Sequence, residues 1–317
     1  MVHEEDLKLI RSLIHNLERC IMGKSEEICL IVTALLAQGH VLLEDVPGTG
    51  KTVVVKALAR SINGQFRRIQ CNPDLLPSDI TGVSIFHPKD ETFVFRPGPV
   101  MTNILLADEI NRATTKTQSA LLEAMEERMV TIDGDSRPLP RPFLLLATQN
   151  PIDFEGTYTL PEAQLDRFML KLRLGYPDEK TELQMVYAQS RRHPLEDLEP
   201  VADIQDIVRL QQQVRSVHID EAVAEYGIRI VRATRDHADL LLGASPRATL
   251  SLLDASRAHA MIRGRDFVLP DDIKHLAPYV LKHRLLLRPE ARLNGTTEQS
   301  VLDSILHQVK VPVRMEK

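Results

Sequence analysis

Residues 40–62 read HVLLEDVPGTGKTVVVKALARSI: a short apolar run, a tight loop carrying two glycines, and a helical stretch, with nothing between them. A strand that turns straight into a helix commits the chain to layered α/β packing, because the helix must lie back across the sheet face. The rest of the first half repeats the theme. HVLLE (40–44), FRRIQ (66–70), ILLAD (104–108), FLLLAT (143–148) and MLKLRL (169–174) are short runs rich in strand formers. Three of them are nearly continuous apolar runs, as expected of central strands covered on both faces. Helical stretches at 51–62 and 114–127 separate the strands, which predicts right-handed crossovers and a central, mostly parallel five-stranded sheet.

Other elements surround this frame. Leu7, Ile10, Ile14 and Leu17 recur at helical spacing and predict an amphipathic helix over 4–19. Ser25, followed by Glu26 and Glu27, reads as a capped helix start, and Gly39 as that helix's stop. Two hairpins interrupt the alternation. One spans 83–98, and the other spans 129–140 around Asp133-Gly134, a strong hairpin dipeptide. Phe93 and Phe95 alternate in the first and read as core-packing strand residues. After GYPD at 175–178 the chain reads helical, with one stripe at Val223, Tyr226, Ile230 and Ala233 and another at Ala248, Leu252, Ala255, His259 and Ile262. The expected division is an α/β domain over 1–175 and a helical domain over 176–317.

Composition narrows the class of function. A net charge of −5 gives the whole molecule no field that would attract nucleic acid or an anionic membrane. Three cysteines without a C-x-x-C pair indicate neither a disulfide framework nor a zinc site, and suit a reducing cytoplasm. The start shows no signal-peptide pattern, and the most apolar stretch, ICLIVTALLAQGHVLL, is too interrupted to span a bilayer. Eleven histidines include no H-E-x-x-H motif, and Arg191-Arg192 reads as a solvated turn.

The chemistry-bearing residues sit where strands end. Pro47, Gly48, Thr49, Gly50, Lys51 and Thr52 match a P-loop, whose backbone N–H groups and helix N-terminus cradle phosphates. Lys51 would reach the β/γ-phosphates and Thr52 would ligate Mg²⁺. The strict motif G-x-x-x-x-G-K-[ST] places glycine at position 45, where this chain has Asp45. Its carboxylate either bonds the loop backbone or lowers affinity for an anion. ILLADEINR ends a buried strand in Asp108, a Mg²⁺ ligand candidate, and Glu109, a general-base candidate for an attacking water. Alone, two adjacent acids could equally cap a helix. In LLLATQNP, Asn150 can position the water or contact a γ-phosphate. In LPEAQLDRF, Pro161 suits a first helical position and Arg167 follows a short helix, where it could also pair with Asp166. In SPRATL, Ser245 and Pro246 start a helix and put Arg247 in its first turn, where a cation opposes the dipole and calls for a nearby anion.

Taken in order, VLLEDVPGTGKT, NPDLLPSDITG, FRPGPV, LLADEINRATTKTQSALLEAMEER, ATQNP, GTYTLPEAQLDRFM, SPRA and LPDDI resemble the AAA+ ATPases, and within them the MoxR family, over nearly the whole chain. That resemblance implies a P-loop AAA+ core with two hairpin insertions and a C-terminal all-helical lid. It implies ATP and Mg²⁺ as cofactors, with Lys51 and Thr52 as the Walker A pair and Asp108 and Glu109 as the Walker B pair. Asn150 is similar to sensor 1, and Arg247 to sensor 2 on the lid over the nucleotide. Arg167 resembles an arginine finger reaching a neighbour's γ-phosphate, and Ile21, Met22 and Gly23 match the adenine-contacting segment. The family tolerates Gly or Asp at position 45. Its members act as rings, usually hexamers, on protein clients, often with partners bearing von Willebrand factor A-type domains. A nucleic-acid motor is the competing reading, but the second hairpin's tip, Asp133-Gly134-Asp135, would repel phosphates. A nucleotide switch with little turnover is a third, and Glu109 and Arg167 speak against it.

Overall fold

The computed structural model describes residues 4–151, 158–189 and 194–312; the Arg191-Arg192 pair and the first two residues of GTYTLPEAQLDRFM lie outside them. The expected strands form one sheet: β1 (Val41–Glu44), β2 (Phe66–Gln70), β3 (Ile104–Asp108), β4 (Leu144–Gln149) and β5 (Leu170–Leu172). Their spatial order is β2-β3-β4-β1-β5, and every neighbouring pair runs parallel. Alternate residues serve opposite faces. Val41, Leu43, Ile104, Leu106, Leu144 and Leu146 share a cluster with α1 (Glu4–Cys20), α2 (Ser25–Leu36) and α3 (Lys51–Ser61). Leu42, Leu105, Ala107, Leu145 and Ala147 face the other way, onto Leu121, Leu122 and Met125 of α4 (Thr115–Glu127).

The ends of α2 differ from their expected form. Ser25 is the first helical residue and caps nothing; Lys24 holds the N-cap position without a side-chain bond. At the other end Gln38, at φ 57°, takes the left-handed position, and the Gly39 N–H donates to Ala34 O at 2.8 Å. That is a Schellman closure with Gln38 where glycine is usual. Gly39 is required for space: a Cβ there would lie 2.4 Å from Met169 Sδ and 2.6 Å from its Cβ. β1 can therefore start directly beside the segment that leads into β5. His40, the next residue, is buried and neutral. Its Nδ1 accepts from Leu145 N, Nε2 lies 3.2 Å from Met125 O, and burial, aided by Arg128, lowers its pKa to about 3.

The second half folds into α5 (Ile204–Val214), α6 (Glu221–Arg235), α7 (Pro246–Ile262), α8 (Pro270–Leu281) and α9 (Glu298–Gln308). A small antiparallel ribbon, Leu240–Leu242 with Leu286–Leu287, is the exception to its helical character. Both expected stripes face inward, with Tyr226, Ile230, Leu252 and Ala255 fully buried. This half packs onto α1 and α2 in one continuous apolar cluster. The Gln211 side chain donates to Leu35 O at 2.7 Å, and Asn16 joins Ser61 Oγ and Glu199 O.

Both hairpins are present, Gly82–His87 with Thr92–Pro97 and Met129–Ile132 with Asp135–Pro138. Asp133 and Gly134 both have positive φ, as a two-residue type I′ turn demands. The core-packing expectation fails for Phe93, which is 73% exposed. Phe95 instead lies beneath the Arg137 guanidinium, 4.4 Å from the ring centroid, so it joins the two hairpins.

Gly39→Ala is expected to lower the unfolding free energy by about 1–3 kcal/mol, since backbone and Met169 must both move. A urea midpoint equal to the parent's would show that Met169 gives way freely.

Candidate active site

Parallel strands deliver their carboxyl ends to one edge of the sheet, and the loops that leave that edge meet there. β1 continues into the P-loop, and the Asp45 N–H still pairs with Gln149 O of β4 at 3.1 Å. Gly48 and Gly50 both have φ +87°, which L side chains rarely adopt, and Gly50 is the N-cap of α3. Lys51 and Thr52 open α3, so the helix's free N–H groups face the loop's interior. The Lys51 ammonium donates to the carbonyls of Val46 at 2.6 Å and Asp45 at 3.3 Å.

A cavity of about 480 Å³ is lined by Pro47, Gly48, Gly50, Lys51, Thr52, Asp108, Glu109 and Asn150, together with Arg68, Gln70 and Thr148. A second cavity of about 230 Å³ adjoins it through Gly48, Gly50 and Val53, and is lined by Ile21, Met22, Thr49, Pro177 and Met185. The first is walled by charges and hydroxyls, the second mainly by apolar side chains. Such a pair suits a molecule with an anionic chain at one end and a flat apolar ring at the other. Gly23 does not line either cavity; at φ +72° it packs against Thr181, whose Oγ1 a Cβ would meet at 2.9 Å.

The two acids are held differently. Thr148 Oγ1 donates to Asp108 Oδ1 at 2.6 Å and accepts the Glu109 N–H at 2.8 Å. One hydroxyl thereby fixes both, and keeps Glu109 in a left-handed backbone conformation, φ 57°, unusual for a residue with a side chain. Arg68 donates to Asp108 Oδ2 at 2.5 Å, while Gln70 and Arg112 donate to Glu109 Oε2 at 3.3 and 2.9 Å. Glu109 is thus aimed from three sides. Cys71, buried beneath them, is pushed up to about 12, first by burial and then by the charges of Asp108 and Glu109, which makes it a poor nucleophile. The Thr52 hydroxyl and the Asp108 carboxylate are hard oxygen donors lining one cavity, which fits Mg²⁺. Bound there with a nucleotide, the ion would neutralise charge on the β- and γ-phosphates.

Asp45 takes the bonding role. Its Oδ1 accepts the Val46 N–H at 3.0 Å, and Oδ2 accepts those of Leu174 and Gly175 at 2.8 Å each. A glycine could not make these bonds. The carboxylate ties the entrance of the P-loop to the point where the chain leaves β5 for the second half.

Two expected residues lie elsewhere. Arg167 lies just before β5, ahead of Phe168 and Met169, and Leu170 of that strand is in register with Val41 at the start of β1, whereas the P-loop follows the end of β1. At least the length of β1, roughly 10 Å, separates Arg167 from the cavity along the strand direction. Arg247 stands beside it. Both pair with Glu126 of α4, Arg167 through Nε at 3.0 Å and Arg247 through Nη2. The expectation that Arg247 lies over this chain's own nucleotide is therefore corrected: the anion it meets is a carboxylate at the opposite sheet edge. Asp166 does not pair with Arg167 either; it binds Arg284 and Ser245. Ser245 is nevertheless the N-cap of α7 and Pro246 its first residue, while Pro161 caps the short helix Glu162–Leu165 rather than starting it.

Sequence reasoning missed Arg68, Gln70 and the double role of Thr148. The signal existed: FRRIQ places an arginine and a glutamine at the carboxyl end of a parallel strand, at the ligand-binding edge.

A model of the ATPase family associated with various cellular activities (AAA) matches residues 40–170, and one of the AAA lid domain matches 232–305. The uncharacterized protein YeaC of Bacillus subtilis is 52% identical over 315 residues, covering 99% of this chain and 98% of its own. Chaperone MoxR1 of Mycobacterium tuberculosis is 42% identical over 316 residues, covering 97% and 83%. A crystal structure from Cytophaga hutchinsonii, provisionally designated an ATPase, superposes with a TM-score of 0.91 at 38% identity, covering 98% of this chain and 96% of its own.

Asp45→Ala is expected to lower the unfolding free energy by about 2–3 kcal/mol, because it strands backbone donors that include the buried Leu174 N–H. Urea unfolding measures this; an unchanged midpoint would mean that those donors find other acceptors.

Proposed function

This chain belongs to the MoxR family of AAA+ ATPases, and on that premise we propose that it hydrolyses ATP as a ring, a hexamer, and uses turnover to remodel a protein partner. The observation that carries the reading is the convergence of Lys51, Thr52, Asp108, Glu109 and Asn150 on one cavity. Glu109 serves as general base for the attacking water, with Gln70, Arg112 and Thr148 fixing its direction. Lys51 leaves its carbonyl partners for the β/γ-phosphates, and Asn150 positions the water or the γ-phosphate. Thr52 and Asp108 hold Mg²⁺, and Ile21 and Met22 contact the adenine.

Assembly follows from what one copy lacks at its own site. Arg167 and Arg247 stand at the far edge of the sheet, where they can serve only another copy's nucleotide. An arginine supplied in trans is worth roughly 10³–10⁵ in rate. Residues 1–175 act as the nucleotide-binding core and 176–317 as the lid, with Asp45 bonding the last two residues of the core beneath the P-loop.

The partner is a protein, one bearing a von Willebrand factor A-type domain or a client it presents, met in the cytoplasm. Phe86 with Phe93 on one face of the first hairpin, and Ile85 with Val94 on the other, are all exposed and offer apolar contacts suited to a polypeptide. The second hairpin does not suit nucleic acid. Its tip is acidic, and Arg137 is engaged by Phe95 and Asp135. No helix among the described residues is long and apolar enough to cross a membrane.

Glu109→Gln is expected to bind ATP with parental affinity and to lose nearly all turnover; parental phosphate release would remove Glu109 from its role. Arg167→Ala is expected to bind ATP yet fall roughly 10³-fold in turnover. Mixing it with Lys51→Ala subunits, which keep their arginines, should restore part of the rate. Absence of any recovery would argue against action in trans.

A further inference from the structure

We propose that Glu126 is a positioning residue that holds Arg167 and Arg247 as one two-pronged unit for the γ-phosphate of a neighbouring copy. This rests on the ring reading above. Glu126 lies in the last turn of α4, and each carboxylate oxygen takes a different arginine. Oε2 forms an ion pair with Arg167 Nε at 3.0 Å, and Oε1 accepts from Arg247 Nη2. One arginine comes from the core and the other from the lid.

The roots of both arginines are fixed by a second carboxylate. Asp166, the residue before Arg167, accepts Arg284 Nε on Oδ1 at 2.7 Å and the Ser245 hydroxyl on Oδ2 at 2.8 Å. Ser245 is the N-cap of the helix that carries Arg247. Arg284 is buried and also donates to the carbonyls of Asp166 at 2.8 Å and Phe168 at 2.7 Å. Asp166 therefore locks the bases of the two arginines together across the core–lid boundary, and Glu126 locks their tips.

Stability does not explain this arrangement. Side-chain exposures of 30%, 44% and 31% for Arg167, Arg247 and Glu126 put the pairs in solvent, where such contacts contribute little. Arg247 also sits in a helix's first turn, against the dipole. What the carboxylate supplies is geometry. Two guanidiniums side by side repel, and a shared anion lets them converge. Arg167 faces Glu126 with its inner nitrogen, and the outer edge of a guanidinium carries two parallel N–H donors, one from each terminal nitrogen, in a fork that matches phosphate oxygens. A displacement of about 1 Å at such a contact can lower a rate on the order of 100-fold.

The test uses the full-length chain with Glu126→Gln, which keeps size and removes charge. Expected are an unchanged melting temperature, ATP binding and ATP-dependent assembly, with kcat lower by roughly 10–100-fold and KM unchanged. Mixing with Glu109→Gln subunits, whose arginine unit is intact, should recover turnover. Adding Glu126→Gln to a chain that carries both Arg167→Ala and Arg247→Ala should lower the rate no further. The proposal is overturned if Glu126→Gln keeps parental or higher kcat while Arg167→Ala loses it, if its loss multiplies with that of the double arginine variant, or if mixing recovers nothing. Should Glu126→Gln melt far below the parent, Glu126→Asp, which keeps the charge on a shorter arm, carries the same kcat and mixing tests. Parental turnover by Arg167→Ala would sink the ring reading itself, independently of any result at Glu126.

Discussion

The parallel sense of all five strands is the constraint from which the rest of the molecule follows. It sends every carboxyl end to one edge and every amino end to the other. Asp108, Glu109 and Asn150 arrive at the first edge because β3 and β4 stop there, beside the loop that leaves β1. Arg167 arrives at the second because it precedes β5. A single chain of this topology cannot bring its own Arg167 to its own phosphate cavity without reversing a strand. The action in trans proposed for Arg167 thus rests on strand direction before it rests on surface chemistry.

Two carboxylates brace the region where the core gives way to the lid, one at each end of the sheet. Asp45 grips the N–H groups of Leu174 and Gly175 beneath the P-loop, and Asp166 grips Arg284 and Ser245 beneath the arginines. Both use charge-assisted bonds to groups that are buried or nearly so, which are the strong kind. The continuous apolar cluster of α1, α2 and the lid helices fills the space between them. Asp45 thus fixes the P-loop to residue 175, after which the lid begins, and Asp166 fixes the lid at Ser245, the cap of the helix that carries Arg247. In the ring proposed above, that second edge would face the next copy's nucleotide.

The strands were legible because burial on both faces leaves a continuous apolar signature, as in ILLAD and LLLAT, and the P-loop because its glycines answer a backbone requirement that no other residue meets. What was not legible depends on distance in space. SPRA announces an arginine in need of an anion, but nothing local says whether that anion is a phosphate or Glu126, 121 residues away. Asp45 looked like a missing glycine because its acceptors' partners, Leu174 and Gly175, lie some 130 residues on. Ser25 was misread as a cap since the helix begins one residue earlier than a serine cap would allow, with Lys24 placed by its contacts to Glu27 and Tyr176 instead. Arg68 and Gln70 were hidden by their strand. FRRIQ puts them near a strand's carboxyl end, and the order β2-β3 shows which acid that end stands beside, Asp108.

The hairpins show how the same sequence pattern takes opposite fates. Phe93 and Phe95 alternate with Val94 in one strand, yet Phe95 is covered by Arg137 from the second hairpin while Phe93 meets the Phe86 ring at a tilt, centroids 5.3 Å apart, and stays exposed. Covering Phe95 braces one hairpin against the other and also neutralises, with Asp135, the basic residue nearest the second tip. Phe86 and Phe93 pair on one face of the ribbon and Ile85 and Val94 on the other, and all four stay exposed. They gain little for the fold, since an isolated hairpin draws its stability mainly from a face packed on something else. Apolar faces on a ribbon that also offers backbone edge groups are of the kind that a polypeptide, more than a phosphate backbone, can satisfy, which is what supports the protein partner proposed above.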